Sequence, residues 1–126
     1  MKQEEAFQIQ RGDYFLYHGE IVKVTGRSPY NESNYIIENK NGSKFYAEVE
    51  ELEPIVINEY VLKQAGAKPC KSKNGYRCGG AIILLENSSV VTGIGTEDAR
   101  IFLYINHFHV LQNALRLFGE EVELKQ

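Results

Sequence analysis

The chain has 126 residues but no tryptophan, one methionine, two cysteines and three prolines. Two cysteines are too few for a disulfide-built scaffold, so any core has to come from aliphatic packing and from Tyr 8 and Phe 6. Long hydrophobic runs are missing as well. Spanning a bilayer takes about 20 apolar residues, and the longest stretch here, "AIILLENSSVV", is interrupted by Glu86 and Asn87. The N-terminal "MKQEEAFQIQ" has two acids and no apolar block, which does not read as a signal peptide. The expectation is a cytoplasmic protein with no membrane contact and free thiols. A basic excess is also lacking. Net charge is −3; residues 1–57 hold six Lys/Arg against ten Asp/Glu, and residues 58–126 eight against seven. Phosphate contacts supply most nucleic-acid affinity, so generic duplex binding is excluded. Hydrophobic and charged shares of 43% and 25% exclude a disordered chain.

The first half carries strand signals. "DYFLYHGEIVKVTG" holds two runs, Tyr14 to Tyr17 and Glu20 to Thr25, split by His18-Gly19, a dipeptide suited to a tight turn. Tyr35 to Asn39 and Lys44 to Val49 follow, joined through "NKNG", whose Asn and Gly tolerate positive φ. Phe45, Ala47 and Val49 alternate with Tyr46, Glu48 and Glu50, as in a sheet with one wet face. Four or five short strands in under sixty residues suggest a small barrel. The stretch "GDYFLYHGEIVKVTG" resembles the opening of an SH3-like barrel: Gly-Asp, a strand, a turn at Gly19, then a strand carrying Val22 and Val24. That resemblance implies a binding module, and SH3-like barrels host many unrelated functions. Glu20, Glu48, Glu50, Glu51 and Glu53 argue against an RNA-gripping version.

Pro54 in "EPIVIN" marks a hinge, and the spacing divides the chain into a β module at 1–57 and an α+β module at 58–126. Asn58 is placed to cap a short helix over "EYVLKQA", with Gly66 at its end and Val61, Leu62 and Ala65 facing inward. Ala81 to Leu85 and Ser89 to Ile94 read as antiparallel strands around Asn87-Ser88. Residues 100–105, "RIFLYI", fit a strand by the alternation of Ile101, Leu103 and Ile105, with a helix begun at Thr96 as the rival. Asn106 then caps a helix from about His107 to Phe118, ended by Gly119. Its stripe Phe108, Leu111, Leu115, Phe118, flanked by Val110 and Leu117, is wider than one small sheet needs. A homo-oligomer joined through this helix or the adjoining sheet edge is expected.

"GEIVKVTG", "SKFYAEVEELEPI", "NEYVLKQAGAK", "NGYRCGG", "TGIGTEDARI" and "HFHVLQNALRLFGEEVEL" together resemble small proteins of phages and prophage-like elements of gut bacteria. This resemblance implies a phage origin and brings no catalytic residue with it.

Three chemistries compete for the polar residues. Cys70 and Cys78 are eight apart, wider than the C-x₂₋₄-C pair of structural zinc, and His107 and His109 in one helix point about 200° apart. No metal is expected. Cys78 beside Arg77 could have a lowered thiol pKa, but no nucleophile signature accompanies it, and one H-x-H lacks the second motif of a phosphodiesterase. No catalytic residue and no cofactor are expected. "KPCKSKNGYRCGG" remains. Lys71, Lys73 and Arg77 could hold phosphates, Gly79 and its neighbours let main chain approach an anion, and Tyr76 could stack on a base. It is not a Walker loop, and in "GIGTED" Glu97-Asp98 would repel phosphate.

The expectation is therefore an α+β protein: an SH3-like small β-barrel, then an antiparallel sheet with a short helix and a C-terminal helix. Its expected role is non-enzymatic capture of a small anionic ligand, with a nucleotide signal of host immunity as the ligand class. The alternative is a module that docks a host or phage protein.

Overall fold

Alternating aromatic and β-branched residues build the first of two units, which meet in sequence between Ile55 and Val56. The computed structural model describes residues 9–30, 34–70, 75–96 and 100–125. In the first unit β1 (Tyr14–Tyr17), β2 (Glu20–Arg27), β3 (Asn34–Glu38), β4 (Lys44–Glu48) and β5 (Leu52–Glu53) form one antiparallel sheet in the order β4-β3-β2-β1-β5. The sheet curls into a half-barrel. His18 and Gly19, at φ +50 and +80, make the two-residue turn between β1 and β2, where positive φ matches the twist of the strands. Between β3 and β4 the Asn39 side chain accepts the amides of Asn41 and Ser43, both at 3.0 Å, and Gly42 sits at φ +83. The "NKNG" turn is thus held by its first residue as well as by its glycine.

The inward residues of these strands, Phe15, Val22, Val24, Tyr35, Ile37, Ala47 and Leu52, pack as one buried cluster. A short 3-10 turn, Val49–Glu51, then brings β5 back to pair with β1, Leu16 opposite Glu53 and Tyr17 opposite Leu52. The buried Asp13 carboxylate accepts the Gln10 amide at 2.9 Å, and the Asp13 carbonyl accepts the Val24 amide at 2.8 Å. That is what the Gly-Asp pair before β1 does: it ties the incoming chain to β2.

The second unit opens with α1 (Glu59–Gln64). Asn58 caps it, its side chain accepting the Val61 amide at 2.8 Å, and Gly66 leaves it at φ +88. Six residues are too few for a helix to hold itself, so burial of Val61, Leu62 and Ala65 has to stabilise it, at roughly 1.5–3 kcal/mol for a fully buried aliphatic side chain. The strands β6 (Lys68–Pro69), β7 (Gly75–Cys78), β8 (Ala81–Glu86), β9 (Val90–Gly95) and β10 (Arg100–Ile105) form an antiparallel sheet in chain order, with β6 and β10 at its edges. Residues 100–105 are thus a strand, as their alternation indicates. The second helix, α2, runs Phe108–Arg116 and buries Phe108, Leu111, Leu115 and the polar His109 and Gln112.

Two expectations about α2 are corrected. It starts one residue later than expected, and its N-cap is His107 rather than Asn106. The Asn106 carbonyl accepts the Ile57 amide at 3.0 Å and His107 bridges Val56, so main-chain pairing holds both residues extended. It also ends at Arg116, after which Gly119 at φ +79 lets the Glu120 amide reach back to Leu115 O at 3.1 Å. The last residues are neither strand nor loose tail. Val122 and Leu124 are buried, the Gln112 side-chain amide donates to Val122 O at 3.2 Å, and the Lys125 amide donates to Gln64 O at 2.9 Å. Among the described residues no helix is long and apolar enough to cross a membrane.

Candidate functional site

The stretch 68–80 forms the outer hairpin of the second sheet. Lys68 pairs with Arg77 and Pro69 with Tyr76; Tyr76 in turn faces Ile83 and Arg77 faces Ile82 on β8. Lys71 and Lys73, two of the expected phosphate ligands, lie outside the described residues. The others separate by the period of the strand. Tyr76 and Cys78 point one way and Arg77 the other.

Tyr76 is 8% exposed, in a row with Ile83 and Ile94. Its hydroxyl hydrogen bonds Glu59, which the Ser88 hydroxyl also reaches at 3.3 Å. Burial, then the charge and hydrogen bond of Glu59, raise the phenol above its ordinary pKa. The expected stacking role is corrected here: a ring packed into the sheet's inner face and anchored by its hydroxyl has no face left for a base. Arg77 does stand exposed, directly across from the exposed Lys68. Lys68 is a cation that the sequence reading passed over, and the hairpin register is what brings it beside Arg77.

The glycines do hold an anion, and it belongs to the chain itself. Gly79, at φ +57, opens the two-residue turn between β7 and β8, and the Gly80 amide donates to Glu120 Oε1 at 2.8 Å. A Cβ on Gly79 would collide with the Glu120 carboxylate. The positive φ favours glycine there, and any added side chain would also have to displace the Glu120 carboxylate.

Cys78 is buried, and its thiol is pushed up to about 11, first by burial and then by the Glu120 carboxylate. Arg77 does not activate it because alternation puts the guanidinium on the opposite face. His107 and His109 correct the helical argument. His107 precedes the helix with extended backbone, so the two rings stack 6.2 Å apart instead of diverging. His109 is buried and its imidazole is lowered to about 4, by burial first and by His107 second. Among the described residues no three His, Cys, Asp or Glu converge as metal ligands would.

The exposed feature of this unit lies at the other edge of the sheet. On β10, Ile101 is 55% exposed, Phe102 81% and Tyr104 77%. The alternating set Ile101, Leu103, Ile105 looks like a core stripe in sequence, yet only Ile105 is buried. The aromatic residues between them project from the other side of the strand, and pairing with β9 shifts register between Phe102 and Ile105. Comparison with family models, curated proteins and solved structures finds no match, so the reading of this chain rests on its own geometry.

Two predictions follow from these environments. Thiol titration of the native protein with a disulfide reagent should show one fast cysteine, the half-buried Cys70, and a second that reacts only on unfolding. Cys70→Ser should remove the fast phase and Cys78→Ser should leave it. For His109, the unfolded chain takes up a proton near the ordinary value of 6.5, while the folded chain refuses it until about 4. Stability is therefore full above 6.5 and falls by up to about 3 kcal/mol as pH drops to 4. Urea midpoints measured over that range should fall less steeply for His109→Gln than for the parent protein; equal slopes would refute the assignment.

Proposed function

We propose that this protein is a non-enzymatic interaction module that docks a protein partner along β10. One observation carries the reading. β10 is a six-residue sheet edge with exposed apolar side chains on both faces and a single charge, Arg100. An open strand edge offers main-chain donors and acceptors in a row, and a partner strand can complete them. The side chains with chemical potential fit a binding role: Cys78 is held as a thiol and His109 as a neutral imidazole inside the packed interior.

The first unit supports a module of the same general kind. A 3-10 turn before β5 and the return of β5 to β1 favour an SH3-like reading of its curled sheet. Glu48, Glu50, Glu51 and Glu53 gather acidic charge there and would steer a basic partner. Action in a phage-infected bacterial cytoplasm rests on sequence resemblance alone.

A second reading keeps the small anionic ligand and is favoured by one contact. Lys68 and Arg77 stand directly opposite on one exposed face of the hairpin, and two cations so placed concentrate positive potential that attracts a small anion. A nucleotide signal of host immunity remains the candidate class, bound through phosphate and without Tyr76 as a stacking platform.

Replacing Tyr104 with a photo-crosslinking amino acid should give adducts on irradiation, in the purified protein or in an extract of expressing cells. The same replacement at Phe45, on β4, should give none. Absence of adducts from position 104 in both settings would end the docking reading. For the second reading, cyclic and linear nucleotides should raise the melting temperature of the parent protein and leave that of Arg77→Ala unmoved. A rise that survives the substitution would place the ligand elsewhere.

A further inference from the structure

The four edges of the two sheets are not equally guarded. β4 carries Lys44 and Glu48 at its ends. β5 is two residues long and is followed by Pro54, and β6 is two residues long and consists of Lys68 and Pro69. Short length, charge and proline are the devices that keep strand edges from pairing. β10 has none of them over residues 101–105. Two of the other edges are short and end at proline, and β4 is charged at both ends and exposes Phe45 and Tyr46 less than β10 exposes Phe102 and Tyr104, so β10 is the edge that most calls for a specific occupant.

We propose that the occupant is a second copy of this chain, with β10 pairing antiparallel to the partner's β10 across a two-fold axis and joining two five-stranded sheets into one of ten strands. This rests on the docking reading and names its partner. Three arguments favour self-pairing. The strand is self-complementary. Centring the axis on Phe102 sets it against the partner's Phe102, Ile101 against the partner's Leu103, and Arg100 against the partner's Tyr104. Each pair shares a face, because residues of equal parity lie on the same side of the sheet. Arg100 then lies over an aromatic ring, where a guanidinium is attracted.

Charge selects the direction. A parallel pair would bring the two Arg100 side chains together, whereas the antiparallel pair holds them about 13 Å apart along the strand, at roughly 3.3 Å per residue. Area is of the right order. Aromatic side chains offer about 200 Å² each, so Phe102, Tyr104 and Ile101 expose on the order of 400 Å² per copy, part of which cross-strand neighbours would cover, and the paired main chain adds to it toward the roughly 1,000 Å² that a specific interface needs. Closed two-fold pairing also consumes the edge and leaves no further strand open at β10, so it ends at two copies.

Analytical ultracentrifugation of the full chain over a micromolar concentration series tests this. The expected result is a concentration-dependent shift toward twice the 14.4 kDa chain mass. Phe102→Lys and Tyr104→Lys should each weaken association at least tenfold, and both side chains are exposed enough for the fold to survive, which a thermal melt verifies. Leu117→Lys, at an apolar position of the helical face that is 84% exposed, should leave association unchanged. Dimers that survive both β10 substitutions, or that only Leu117→Lys disrupts, overturn the proposal. A parent protein that stays monomeric throughout also overturns it. In that case adducts from position 104 in cell extract but not in pure protein would preserve the docking reading with a different partner, and their absence would remove both.

Discussion

A strand turns successive side chains to opposite faces, and in the second unit this period of two decides which chemical groups meet water. β7 is only four residues long, yet its register against β8 sends Tyr76 and Cys78 into the packed interior and Arg77 out. Shifting that pairing by one residue would exchange the two sets, burying a guanidinium and exposing a tyrosine and a thiol. The shift is opposed from both ends. The Tyr76 hydroxyl is fixed on Glu59, and the turn after Cys78 is fixed by Gly79 and the carboxylate of Glu120. Since Glu59 begins α1 and Glu120 follows α2, the register of one short strand is held by groups from three parts of the chain.

Two titratable side chains of this unit, Cys78 on β7 and His109 on α2, are enclosed in its interior. A thiol raised to about 11 is almost wholly protonated at neutral pH, and an imidazole lowered to about 4 is almost wholly neutral. Burial is the first cause in both cases, because a low-dielectric surrounding disfavours whichever form is charged. The neighbouring charges add to burial instead of offsetting it: Glu120 disfavours a thiolate, and His107 disfavours an imidazolium. An active site usually sets a partner against burial, so that the reactive form is populated at working pH. For Cys78 both terms push away from the thiolate.

Much of the fold was legible because its signals are local. The turns at His18-Gly19, Asn39–Gly42 and Asn87-Ser88, the Asn58 cap and the alternation in 100–105 each depend on a few adjacent residues with a definite backbone preference. The start of α2 was not legible, because Asn106 and His107 are held extended by pairing with Ile57 and Val56, some fifty residues away. The candidate site was only partly legible, for a related reason. Cations, glycines and a tyrosine in one stretch suggest a loop, but strand pairing turns Tyr76 and Arg77 to opposite faces, and the anion at the glycine turn comes from forty residues downstream. Lys68 likewise becomes a neighbour of Arg77 only through the hairpin. Composition within a window cannot carry such information.

The exposed residues of β10 are hard to explain as part of the second unit's own stability. A ring that keeps about four-fifths of its surface in water buries roughly 40 Å² of some 200 Å², worth on the order of 1 kcal/mol at about 25 cal/mol per Å². A lysine or threonine in the same place would give up little and would guard the edge. On the docking reading, an extended partner covering Phe102 and Tyr104 would realise the larger part of their apolar energy and complete the open main chain beside them. Leu117 does not compel the same conclusion: a single exposed leucine on a helix is ordinary, and it brings no unpaired main chain with it. Between the helix face and the strand edge, both of which the sequence offered as contacts, hydrogen-bonding capacity favours the edge.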